Sequence, residues 1–192
     1  MTILDAFQRL AATPEAMAAS IRQAGERELA KAEVLARYGD AASVMTPGPD
    51  ERALIEACRP FIEAGRLDPH FVPAPETMDA DVAVTVREAT PFPTTVRGLL
   101  DEYMRWDRTV RDRTALDQDW MQPVAMGCRE RILEDALDTV PSTSFADIEA
   151  RLAWMQVVLD FGFSRDVRSD EACLDTLRAD VARLASRSIP LP

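Results

Sequence analysis

Eight of the 13 prolines fall between Pro47 and Pro93. Proline lacks a backbone donor and clashes with the preceding helical turn, so the middle of the chain is where regular structure is most interrupted. The flanks lack this punctuation and show apolar residues at helical spacing. Ile3, Phe7 and Leu10 stand at i, i+4, i+7 within residues 3–11. Thr13-Pro14-Glu15 reads as a helix start, with a capping hydroxyl, proline in the first turn and an acid near the positive end of the dipole. The helix it opens is expected to turn Met17, Ile21, Ala24, Val34, Leu35 and Tyr38 inward and to stop at Gly39-Asp40. Its inward face is thin between Ala24 and Val34, which predicts contact with neighbours at two ends.

Residues 41–49 read as a hinge or surface excursion. Asp50 is expected to cap a helix to about Ala64 that carries Leu54, Ile55, Cys58, Phe61 and Ile62, kinked or shortened by Pro60. Residues 66–75 read as an extended, polyproline-like stretch. Residues 77–89 fit two periods: Val82, Val84 and Val86 alternate like a strand, whereas Met78, Val82, Val86 and Ala89 fit a helix.

An internal comparison favours the helix. Aligning Thr94-Thr95 with Thr143-Ser144 matches Val96 with Phe145, Leu99 with Ile148, Tyr103 with Leu152 and Trp106 with Met155. The offset is 49. An offset of 48 superposes the prolines and Trp106 with Trp154 but misaligns the first-turn apolar residues. The cap sets the phase of the helix that follows, so 49 is preferred. Ser144-x-x-Asp147 resembles a capping box, a pattern that Gly98 breaks in the first copy. The match is either a true repeat or two ordinary helix starts; if it is a repeat, residues 124–139 are helical before the second copy, and by analogy 77–89 are helical before the first.

Further on, residues 95–119 read as one long helix with a solvated face bearing Asp101/Arg105, Asp107/Arg111 and Arg108/Asp112 at i, i+4. Residues 144–161 read as another, ending at Gly162, and Ser169 is expected to cap the last. The fold class expected is all-α: a single helical bundle of six to eight helices with a proline-rich, irregular middle segment, forming one domain over 1–192. Within it, 1–39 would be an N-terminal helical hairpin and 40–94 the proline-rich segment with one or two short helices. Residues 95–192 would be the C-terminal helices, with a weak repeat of 94–106 in 143–155.

Charge and composition narrow the function classes. With 22 basic against 33 acidic residues the net charge is −11, which disfavours nucleic acid and anionic membrane surfaces as partners. No apolar run approaches the ~18 residues of a membrane span, and Asp5 sits where a secretory apolar region would lie. Cys58, Cys128 and Cys173 are dispersed and odd in number, which reads as reduced thiols and a cytoplasmic location. The sequence holds no glycine-rich phosphate loop, nucleophile elbow, His-Glu-x-x-His or Cys-x-x-Cys pattern. The single histidine, His70, is expected to pack beside Phe71 under the prolines. Glu130 and Glu134 share a helical face suited to acid-base work, but arginines flank Glu130 and the plainer reading is a solvated face. The cysteines lie near apolar stripes and read as small buried hydrophobes. No catalytic residue, metal ligand or cofactor is therefore expected.

Two sets of side chains remain as candidate binding residues. Trp106, Trp120 and Trp154 either fill a helical core, each indole N–H satisfied locally, or line a ligand pocket between helices. Trp106 and Trp120 are 14 residues apart and share a side if their helix is continuous. Leu174, Leu177, Val181 and Leu184 repeat at 3-4-3 spacing, a seam for a neighbouring helix or another subunit. Abundant apolar seams without a reactive constellation point to an accessory or protein-interaction module whose partner is protein, either a second copy or another helix. The alternatives are a small-molecule sensor with a pocket near the tryptophans and, last, a carboxylate- or cysteine-based enzyme.

Overall fold

The computed structural model describes residues 14–161 and 167–187. Among them are eight α-helices and no strand. They are α1 (Pro14–Tyr38), α2 (Ala41–Met45), α3 (Pro49–Glu63), α4 (Ala80–Ala89), α5 (Val96–Leu116), α6 (Val124–Thr139), α7 (Phe145–Phe161) and α8 (Val167–Arg187), with a 3-10 turn at Pro75–Thr77. The chain is all-α, and its packing gathers into two compact units: Met1–Thr46 with Thr109–Trp120, and Pro47–Arg108 with Met121–Pro192. The expected stripe of Ile3, Phe7 and Leu10, the cap at Thr13 and the stop at Gly162 lie outside the described residues.

In the first unit, α1 is anchored at its C-terminal end. Val34 is buried there, and Arg37 and Tyr38 both donate to the carboxylate of Asp112, at 3.0 and 2.8 Å. Asp112 is thereby buried, which corrects its placement on a solvated face: a partner distant in sequence outcompetes one at i−4. Met17, Ile21 and Ala24 are exposed, so the expected inward face at the start of this helix is corrected too. The reversal at Gly39 uses φ +87°, open to glycine without strain. Asp40 then accepts from Ser43 N at 2.8 Å, so part of the expected excursion is a capped short helix, α2. Arg113 reaches Val44 O at 2.8 Å and stacks over Trp120.

The second unit holds two linked cores. Leu54 and Cys58 of α3, Val82 and Val86 of α4, and Cys128 and Ile132 of α6 form one. Val96, Leu99 and Tyr103 of α5, Leu133 and Leu137 of α6, and Ala150, Trp154 and Val158 of α7 form the other. The ambiguity at 77–89 resolves as helix, with Val82 and Val86 fully buried and Val84 half exposed, a 3.6-residue rather than a two-residue period. α3 begins one residue before Asp50, because Glu51 reaches back to accept from Gly48 N at 2.5 Å. Pro60 is tolerated in its last stretch, and Gly65 (φ +68°) follows its end. The loop after it is pinned by Val72, which lies over Gly127. A Cβ on that glycine would clash with Val72 Cγ2.

The two aligned helix starts are structurally equivalent at the offset of 49. Gly98 N donates to Thr95 Oγ1 at 3.1 Å, and Asp147 N donates to Ser144 Oγ at 3.2 Å. α4–α5 and α6–α7 are thus two helix–loop–helix segments, called hairpins below, whose second helices start with the same cap. α4 packs against α6, and α6 in turn against α8.

Candidate interaction surface

Each hairpin is closed by a buried arginine at the carbonyl end of its first helix. In the first, Arg129 of α6 donates to Thr90 O and, through Nε at 2.8 Å, to Glu102 of α5, its guanidinium stacked on Phe92 at 4.0 Å. In the second, Arg151 of α7 donates to Leu137 O at 2.6 Å, Asp138 O at 2.7 Å and Val140 O, and faces Asp180 of α8 at 3.6 Å. Glu102 and Arg151 align at the offset of 49 with opposite charge, whereas their partners Arg129 and Asp180 do not align with each other. Asp180 also accepts from Ser142 N at 2.9 Å and Arg183 at 2.6 Å. Burial pushes its carboxyl up, but these hydrogen bonds and Arg151 outweigh it and hold the group below the usual carboxylate range.

With the hairpins fixed this way, their apolar stripes meet different fates. Val96, Leu99 and Tyr103 of α5 are buried against α6 and α7, Tyr103 meeting Trp154 edge-on at 4.7 Å between ring centres. The equivalent stripe of α7 is Phe145, Ile148, Leu152 and Met155, and Leu159 extends it at 3-4-3-4 spacing. Phe145, Leu152 and Leu159 are 62, 50 and 73% exposed. α7 is apolar on both sides: one side packs inward through Ala150, Trp154 and Val158, while on the other Phe145, Leu152 and Leu159 face solvent and Ile148 and Met155 are half-buried. In α5 the positions matching Ala150 and Trp154 are Asp101 and Arg105, both exposed. At these aligned positions α5 is polar where α7 is apolar. This stripe is the site that reading the sequence for isolated motifs missed. Its signal was a helix with too many apolar residues for one buried face.

The candidate residues named from sequence are dispersed. Trp154 is fully buried and donates to Asp138 Oδ1 at 2.8 Å. Trp106 is half-buried between the two cores, and its Nε1 finds no acceptor among the described residues, contrary to the expected local satisfaction. Trp120 is not on the helix of Trp106: α5 ends at Leu116, and Asp117 forms a turn by accepting from Asp119 N and Trp120 N. Trp120 belongs to the first unit, the other two to the second. On α8, Leu184 is buried and Leu177 half-buried, while Leu174 and Val181 are exposed; Cys173 and Asp180 complete the inward face. α8 starts at Val167, two residues ahead of the expected cap at Ser169.

Other chemistry is sparse. A cleft of about 420 Å³ lies between the α4–α5 loop and α6, lined by Phe92, Pro93, Leu99, Ile132 and Ala136 with Arg87 and Asp135, and by no tryptophan. A second, of about 500 Å³, contains Arg66, whose guanidinium is held by Asp79 and Asp81. Cys58 and Cys128 are buried, which raises both thiols, Cys128 to about 11, and so suppresses the reactive thiolate. Glu130 is half-buried rather than solvated; burial raises its carboxyl although Gln122 donates to it at 3.1 Å. Glu134 pairs with Arg131 at 2.8 Å. His70 and Phe71 are both exposed, and Val72 is the residue that tucks beneath the loop. Among the described residues, no three His, Cys, Asp or Glu side chains converge to hold a metal ion, and no helix is long and apolar enough to cross a membrane. No family model matches the chain, and no curated protein or solved structure is similar to it.

Proposed function

We propose that the chain is a protein-interaction module built from repeated helical hairpins, and that its α7 stripe takes a helix of another protein. The observation that carries this is the unequal finish of the two hairpins. Stacked helical repeats keep a polar outer face on their terminal units, since an uncovered apolar end invites association. α5 has such a face and α7 does not. The covered stripe of α5 indicates what fits: a helix offering a small residue, an aromatic and a branched aliphatic at i, i+4, i+8, as Ala150, Trp154 and Val158 do. Buried, unpaired Cys58, Cys128 and Cys173 support a reducing, cytoplasmic setting for the encounter.

A photo-reactive benzophenone residue placed at Leu152 or Leu159 in cells that make the protein tests this. Expected are adducts whose partner peptide bears apolar residues at helical spacing, lost when Ile148→Asp is added. The exposed position Arg178 of α8 serves as the control. No adduct from either α7 position, or the same adducts from Arg178, refutes the proposal.

A further inference from the structure

α1 carries a second stripe that the described residues leave uncovered, and its pattern differs from that of α7. Ala18, Ile21, Gly25, Leu29 and Ala32 are spaced 3-4-4-3, a palindrome about Gly25, and fall within about 80° of the helix circumference. All five are exposed, Ile21 at 68% and Leu29 at 63%. Gly25 sits mid-helix, where glycine is a poor helix former, and a Cβ there would meet nothing within 4 Å. The described residues thus give no reason for a glycine. Close approach of another backbone does.

We propose that α1 pairs antiparallel with α1 of a second copy of this chain, about a two-fold axis through Gly25. A two-fold axis makes each contact occur twice, so the stripe must read the same in both directions, as this one does. Ile21 then meets Leu29 of the second copy, Ala18 meets Ala32, and the two glycines let the helices close at the centre. Charge favours the same partner. The chain carries a net −11, yet α1 balances Glu15, Glu26, Glu28 and Glu33 with Arg22, Arg27, Lys31 and Arg37. Two such acidic chains can meet along this helix without like-charge repulsion. Arg22 flanks the stripe on the side where the axis brings Glu26 of the second copy, and neither makes an ion pair among the described residues. One helix pair is a small interface, below the about 1,200 Å² of stable complexes, so the dimer should be reversible in the micromolar range. The pairing uses no residue of the α7 stripe and stands or falls independently of it.

Sedimentation equilibrium of the full chain across the micromolar range tests the pairing. Gly25→Leu should raise the dimer Kd by about tenfold or more while far-ultraviolet circular dichroism shows helicity equal to or above wild type, since leucine is the better helix former. Arg22→Glu should weaken the dimer about tenfold by facing Glu26, and Arg22→Glu with Glu26→Arg should restore it to within about threefold. Leu152→Asp should leave Kd unchanged. A wild type that stays monomeric through about 200 µM overturns the proposal. So does a dimer indifferent to Gly25→Leu, or one abolished by Leu152→Asp.

Discussion

Asp147 caps two helices at once, whereas its counterpart in the first hairpin, Gly98, caps none. One Asp147 oxygen accepts from Thr143 N and Oγ1, both at 2.8 Å, at the start of α7; the other accepts from Arg97 N at 3.1 Å at the start of α5. The glycine is required by space, because a Cβ at Gly98 would stand 2.7 Å from Pro93 Cβ. The first hairpin thus borrows its cap from the second. The comparison teaches that the two aligned segments share a need, an unsatisfied first-turn N–H or a helix-end carbonyl, while the residue that meets the need can come from either segment. The buried ion pairs follow the same rule. Glu102 and Arg151 share a position, yet each belongs to a pair that seals one hairpin.

The largest test of that comparison is Arg151→Met, which leaves buried Asp180 with Arg183 as its remaining cation and takes the donor from three carbonyls at the end of α6. Breaking one side of a buried pair costs about 3–5 kcal/mol, a fall of roughly 10 °C in a protein this size, read by thermal unfolding. If Arg151→Met is neutral, the second hairpin is not sealed by this residue. Next comes the matched pair Tyr103→Ala and Leu152→Ala, equivalent in the repeat but buried and exposed respectively. Tyr103→Ala should cost about 3–4 kcal/mol and Leu152→Ala less than about 0.5, measured in urea. Equal losses would mean that the two stripes are buried alike. Smaller still, Asp147→Ala should cost about 2 kcal/mol and raise hydrogen exchange in the first turns of both α5 and α7. Exchange confined to α7 would break the shared cap.

Asp147 also sets a pH dependence. Burial pushes its carboxyl up, but donors from Arg97, Thr143 and Ser144 outweigh this and hold it below the ordinary range. A carboxyl depressed in the folded state contributes its full stability above about pH 4 and loses it as pH falls through the folded value. Wild type should therefore lose stability on acidification below that point, and Asp147→Ala should show a shallower loss.

Much of the local architecture was legible in the chain. Ser144 and Thr95 announced two helix starts, their offset of 49 matched the helices that follow, and the helix at Ala80–Ala89 followed by analogy. Less was legible about the surface. The 3-4-3-4 row on α7 reads in sequence like any core stripe, and Tyr103 and Leu152 align without a hint that one is covered and the other bare. Asp112 looked like a rung of a solvated ladder until Arg37 and Tyr38, more than seventy residues earlier, closed on it. Trp120 looked coaxial with Trp106 until Asp117 ended the helix.

Periodicity and capping residues, which act within a few turns, determined where the helices lie and that no strands were needed. What each helix face meets was decided only by the tertiary structure. A stripe records which side chains share a side, but burial, ion pairing across hairpins and the bare rows on α1 and α7 depend on which distant segment arrives opposite. The free energy of that choice belongs to pairs of surfaces, and no single segment encodes it.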